Sequence, residues 1–166
     1  MSSRAKRIPD GFHTLTPHLI VKGASRAIDF YKKAFGAEEI RRIASPDDKT
    51  IMQVDLKVGD SHVFLADECP EVGCRGPTRG TGTSVTIHMY VEDVDAAFGK
   101  AIAAGAHVRM PLSDMFWGDR YGVLTDPFGH AWSMATHKED LTPEEIRERA
   151  QTEYPGVLRP EQSLLT

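Results

Sequence analysis

Two histidines, His18 and His88, stand seventy residues apart, each two residues after a threonine, Thr16 and Thr86. Imidazole changes charge near neutral pH, so a facing pair could move a proton, hold a hydrogen bond or share a metal ion. Gln53, Asp55 and Ser133 offer further polar atoms to such a place. A second group lies between Phe116 and Tyr121. There Trp117 and Tyr121 can stack on a planar ligand, and Arg120 can clamp a carboxylate or phosphate through two bonds. The plainer alternative for this run is a turn in which Asp119 and Arg120 neutralise each other and Trp117 plugs the core.

The elements that would position these groups repeat. His13 to Gly23 alternates apolar and polar residues, the pattern of a half-buried strand. Ala24 to Phe35 follows with Ala27, Ile28, Tyr31, Ala34 and Phe35 on one helical face; Ser25 is a candidate cap at its start and Gly36 at its end. The order returns at Ser84 to Val91, then in a helix from Val94 to Ala104 capped by Asp93 and closed by Gly105. Three strands are predicted after each helix: Glu38–Ala44, Ile51–Val58 and Ser61–Asp67, then His107–Pro111, Gly122–Thr125 and His130–His137.

Each half therefore reads βαβββ. A single half leaves one face of its sheet bare, so two copies side by side should form a curved eight-stranded mixed sheet, α+β in class, with helices outside and a cavity inside. Strand parity puts Thr16, His18, Gln53, Asp55, Thr86, His88 and Ser133 on the inner face, because Met52, Val54, Leu56 and Val58 form the apolar side of their strand. An ordinary solvated sheet face is the alternative. The expected divisions are an extension at 1–11, modules at 12–69 and 84–140, a linker at 70–83, and a helix and tail at 141–166. In the last of these, Thr142-Pro143-Glu144-Glu145 reads as a capping box opening a helix to about Gln151, with Glu145 and Arg149 paired.

Several classes of function find no support. The 166 residues carry a net charge of −4, with no basic excess for nucleic acid. A neutral or cationic small ligand suits that balance better. No run nears the ~18 apolar residues of a spanning helix, and the basic start lacks the apolar core of a signal peptide, so a cytoplasmic protein away from membranes is expected. Cys69 and Cys74 share one loop, read as reduced thiols with a local disulfide as the alternative. Arg79-Gly80-Thr81-Gly82 lacks the context and lysine of a phosphate loop. His62, His107 and His130 read as surface or turn residues, and Trp132 as core.

The words Ala27-Ile28-Asp29-Phe30-Tyr31, Phe35-Gly36-Ala37 and Thr125-Asp126-Pro127-Phe128-Gly129-His130 resemble the vicinal oxygen chelate superfamily: glyoxalase I, bleomycin resistance proteins and extradiol dioxygenases. The run from Asp114 to Gly122 and the tail from Ala135 to Glu145 are similar to its PhnB-like branch. The resemblance implies the paired-module fold, frequent homodimers and, in many members, a divalent ion held by a His, Glu or Gln on the first and last strand of each module. Motif spacing carries those places onto Thr16, Val63, Thr86 and Ser133, none an effective ligand. No metal and no other cofactor is therefore expected, and the implied function is sequestering an unidentified small molecule. The alternative is a metal-dependent lyase, isomerase or dioxygenase using a displaced site at His18 and His88.

Overall fold

The computed structural model describes residues 5–77 and 82–153; Arg79, Gly80 and Thr81, and the tail beyond Glu153, lie outside them. The chain runs β1 (His18–Val21), α1 (Ala24–Phe35), β2 (Glu38–Ala44), β3 (Ile51–Val58), β4 (Ser61–Asp67), a 3-10 turn (Pro70–Val72), β5 (Thr86–Tyr90), α2 (Val94–Ala104), β6 (His107–Asp114), β7 (Asp119–Thr125), β8 (Ala131–His137) and α3 (Pro143–Glu153). The paired βαβββ order is as the repeat predicts.

The eight strands form two mixed sheets of four, ordered β1-β4-β3-β2 and β5-β8-β7-β6. In each, the first strand runs parallel to the last and the remaining pairs are antiparallel. Among the described residues the two sheets are not hydrogen-bonded into one. Their free edges, β1 and β5, face each other across a cleft. Helices α1 and α2 pack together on the other side.

Alternation decides what is buried. Leu19 and Val21 of β1, Val54 and Leu56 of β3, Val63 and Leu65 of β4, and Trp132 and Met134 of β8 join one core with Ile28, Tyr31 and Phe98 of the helices. Burying each large side chain contributes on the order of 1.5–3 kcal/mol. Phe35 lies 4.7 Å from Trp132 and Tyr31 lies 5.6 Å from it, so the first helix seats on the second module. Trp132 is core, as its parity requires.

Local expectations fail for identifiable reasons. β1 starts at His18 rather than near His13, because Pro17 has no N–H to give a ladder. Pairing begins where Phe64 N donates to the Pro17 carbonyl at 2.8 Å. Ser25 does not cap α1. Gly23 precedes the helix, and Asp67 reaches from β4 to accept from Gly23 N and Ala24 N at 3.1 and 2.7 Å. Asp93 caps α2 as expected, accepting from Ala96 N. Thr142 and Glu145 complete the expected capping box, but Arg149 bonds Glu139 rather than Glu145.

Candidate functional site

The inner face of the second module carries a connected set of aromatic and polar groups. Thr86, His88 and Tyr90 share one side of β5, and Ser133 lies opposite His88 in register. His88 Nδ1 is 2.8 Å from Ser133 Oγ. The His88 ring meets Tyr90 edge-on at 4.5 Å and lies nearly parallel to Tyr121 at 6.0 Å. Trp117 crosses Tyr121 at 5.4 Å and 75°. Three rings and an imidazole thus make an unbroken wall.

Asp119 sits at the base of that wall, only 4% exposed. It accepts from the Tyr90 hydroxyl at 3.0 Å, from Trp117 Nε1 at 3.1 Å and from His137 Nδ1 at 2.7 Å. His137 also contacts Asp140 through Nε2 at 3.0 Å. The hydrogen bond His137 donates to Asp119, then the one it donates to Asp140, raises its pKa above the ordinary histidine value. The bond to Asp119 likewise raises the Tyr90 phenol. Fixed from three sides, the Asp119 carboxylate holds Tyr90, Trp117 and His137 in place.

The first module is dressed differently. His62 Nδ1 donates to buried Asp55 at 2.8 Å, and the Phe12 ring stacks on His62 at 4.1 Å. Phe12 also nears Phe64, which His18 meets edge-on at 6.0 Å. The segment from Arg7 to Thr14 lies over this face and with Ile40, Asp55 and Phe64 borders a hollow of about 740 Å³. His62 is therefore a half-buried inner-face residue and not a turn residue.

Between the modules, a cleft of about 630 Å³ is lined by Thr16, His18, Val85, Thr86, His88 and His130, among others. His130 Nε2 crosses it to the Ile20 carbonyl at 2.9 Å. A larger hollow of about 890 Å³ opens on the helix side beside Lys22, Arg26, Lys33 and Phe128. None of the ligand-binding candidates named from sequence lines it.

The sequence-predicted residues divide accordingly. Thr16, His18, Thr86 and His88 meet in the cleft, and Ser133, Trp117 and Tyr121 adjoin it through the His88 contacts. Asp55 lies on the first module's inner face, with half-buried Gln53 two residues before it on the same side of β3. Arg120 faces the other way. It forks onto Asp95 at 2.6 Å and reaches Asp114 at 3.3 Å, on the α2 side. The expected Asp119–Arg120 neutralisation is absent, because neighbours on one strand point to opposite faces. Tyr90, Asp119, Phe12 and His62 were missed, although Tyr90 shares the parity of His88, and Asp119 that of Tyr121.

The ligand positions carried over by spacing also need correction. His18 pairs with Phe64 while His88 pairs with Ser133, so Phe64 is the counterpart of Ser133. Val63 points into the core. The constant spacing breaks inside the modules, where the helices have 12 and 11 residues. Thr16, Phe64, Thr86 and Ser133 do not fit a transition-metal ion: hydroxyls are weak ligands at neutral pH and Phe has no donor. Among the described residues no three His, Cys, Asp or Glu side chains gather closely enough to hold one.

Comparison with known proteins gives the family and the fold. The family model for the glyoxalase/bleomycin resistance protein/dioxygenase superfamily matches residues 11–134. An uncharacterised protein of Mycobacterium tuberculosis strain H37Rv is 47% identical over 137 residues, covering 80% of this chain and 79% of its own. An uncharacterised protein of Arabidopsis thaliana is 31% identical over 125 residues, covering 71% and 74%. Among solved structures, TioX from Micromonospora sp. ML1 superposes with a TM-score of 0.58 at 28% identity, over 78% of this chain and all of that one. The fosfomycin resistance protein FosX of Listeria monocytogenes, solved with Mn(II) and sulfate, reaches 0.58 at 18% identity, a likeness of fold, over 80% of this chain and 95% of that one.

Proposed function

The chain belongs to the glyoxalase/bleomycin resistance protein/dioxygenase superfamily, and on that premise we propose that it binds a planar, neutral or cationic small molecule on the inner face of its second module. One observation carries this reading: the Trp117–Tyr121–His88–Tyr90 wall stands over the buried Asp119 carboxylate beside an open cleft. Flat aromatic faces favour a planar guest, and their π faces attract a cation placed over them. Binding of this kind needs a cleft, stacking groups and a few polar anchors, without a metal. Homodimer assembly belongs to the same reading, supported by Leu15 and Val85, exposed on the cleft's rim.

The rival is a metal-dependent lyase, isomerase or dioxygenase with a displaced site at His18 and His88. In its favour, both imidazoles line one cleft. Against it, no third ligand joins them among the described residues, and His88 Nδ1 is engaged by Ser133.

The test is a thermal-shift panel of aromatic and cationic antibiotics with a chelator present. Binding raises apparent stability by mass action, so a true hit strengthens with concentration. It should persist in chelator and weaken in Trp117→Ala. One tightly held ion per chain, with turnover of a glutathione hemithioacetal or a catechol, would reject the reading in favour of its rival.

A further inference from the structure

Cys69 and Cys74 form an isolated antiparallel bridge in the segment that leaves the first module. Cys69 N donates to the Cys74 carbonyl at 2.8 Å, and Cys74 N donates back at 3.1 Å. Residues that exchange both bonds have Cα atoms about 5.5 Å apart, within the range a disulfide spans. Directly opposed side chains leave the same face of the ribbon. Neither cysteine is in a disulfide and both are exposed; the Cys69 thiol donates to Glu71 Oε2 at 3.4 Å, and exchange must break this contact.

We propose that Cys69 and Cys74 are a reversible thiol–disulfide site, closed within the chain by a disulfide oxidant of the glutathione type. One thiolate attacks the oxidant, releasing one glutathione and leaving a mixed disulfide. The other cysteine sulfur then attacks the protein-side sulfur and releases the second glutathione. Two protein thiols become one disulfide, and both electrons pass to the oxidant. Hydrogen-bonded opposite positions hold Cβ atoms about 1 Å further apart than a relaxed disulfide prefers. The loop must therefore tighten, at the turn through Gly73 with its φ of 82°. Strained, exposed disulfides are the easily reduced ones, which suits a switch better than a permanent staple.

The site's position gives it a consequence. The next residues, Arg75 to Pro77, wall a small hollow with His18, Ile20 and His130 at the end of the cleft. Gly76 fits there because a Cβ on it would come 2.9 Å from the Ile20 carbonyl oxygen. Its N–H also reaches the Glu68 carboxylate at 3.4 Å. A disulfide at Cys69 and Cys74 stiffens the base of this wall.

The test uses the full chain, reduced, freed of reductant and equilibrated in glutathione buffers of rising glutathione disulfide content. Intact mass and thiol titration should show both thiols lost together, no glutathione retained, no change in oligomeric state and full reversal by dithiothreitol. Cys74→Ser should instead retain one glutathione on Cys69. Amide exchange at Arg75 and Gly76 should slow about tenfold on oxidation of the wild type and not of Cys74→Ser. Glutathione held by the wild type, disulfide-linked dimers, or thiols reduced throughout the series would overturn the site. Unchanged exchange would overturn the stiffening.

Discussion

The Tyr31 hydroxyl, on the first module's helix, donates to the Asp126 carboxylate, in the turn before β8, at 2.5 Å across 95 positions of sequence. Asp126 is 2% exposed and also accepts from Trp132 Nε1 and from the Phe128 and His130 amides. Burial, and then the Asp126 charge, keeps the Tyr31 phenol protonated well above its ordinary range. Tyr31→Phe removes one donor from a buried carboxylate, which costs about 1–3 kcal/mol. The urea midpoint should fall with an unchanged slope. A midpoint equal to wild type would mean that the module contact carries no stability.

A second expectation concerns pH. The His137 pKa is raised in the folded chain from an ordinary 6.5 by Asp119 first and Asp140 second. Its stabilising effect is therefore complete below about pH 6.5 and is lost as pH rises through the folded value. Between about pH 6 and pH 8, wild type should lose more thermal stability than His137→Gln. Parallel curves for the two proteins would sever His137 from this behaviour.

Ligand binding should separate the two sides of β7. Trp117→Ala and Tyr121→Ala each remove a stacking surface, worth about 0.5–1.5 kcal/mol beyond buried area, or roughly two- to tenfold in Kd. The double change of His18 and His88 to Ala should also weaken binding while leaving the far-UV circular dichroism spectrum intact. Arg120→Ala should leave affinity alone, because its side chain is engaged by Asp95 and Asp114 on the helix side. Titrating one hit from the thermal panel into all four variants decides the matter, and a loss confined to Arg120→Ala would place the site elsewhere.

Gly118 supports the wall from behind. Its φ is +97°, and a Cβ there would lie 2.4 Å from the Glu139 carbonyl oxygen. Its own carbonyl accepts from both Lys138 and Glu139. Gly118→Ala should destabilise the fold by about 1–3 kcal/mol and displace its neighbours Trp117 and Asp119, reducing affinity as well. A variant with wild-type melting and binding would show that the turn relaxes freely.

Much of the fold was legible because it rests on periodicity. Parity in β5 and β8, glycine at the ends of α1 and α2, and the Asp93 cap are local signals that survive packing. What was misread depends on partners remote in sequence. Asp67 took the capping role expected of Ser25. His62 is turned inward by Asp55 and covered by Phe12, which no local pattern announces. The slip from Phe64 to Val63 arose from extending a constant repeat spacing past helices of unequal length. Arg120 was assigned by its chemistry, although its parity already opposed that of Tyr121.

Phe12 resting on His62 gives the two halves of the cup unequal standing. The first half already has a tenant, delivered by the chain's own leading segment. A tethered group acts at an effective concentration in the millimolar range, so any visitor to that side must compete with a resident that never diffuses away. Among the described residues, no ring of that segment stacks on His88 or Tyr121 as Phe12 does on His62. For the proposed ligand, selectivity would then begin with occupancy: molecules too weak to evict the tenant would be sorted by one wall alone, and those strong enough would meet both.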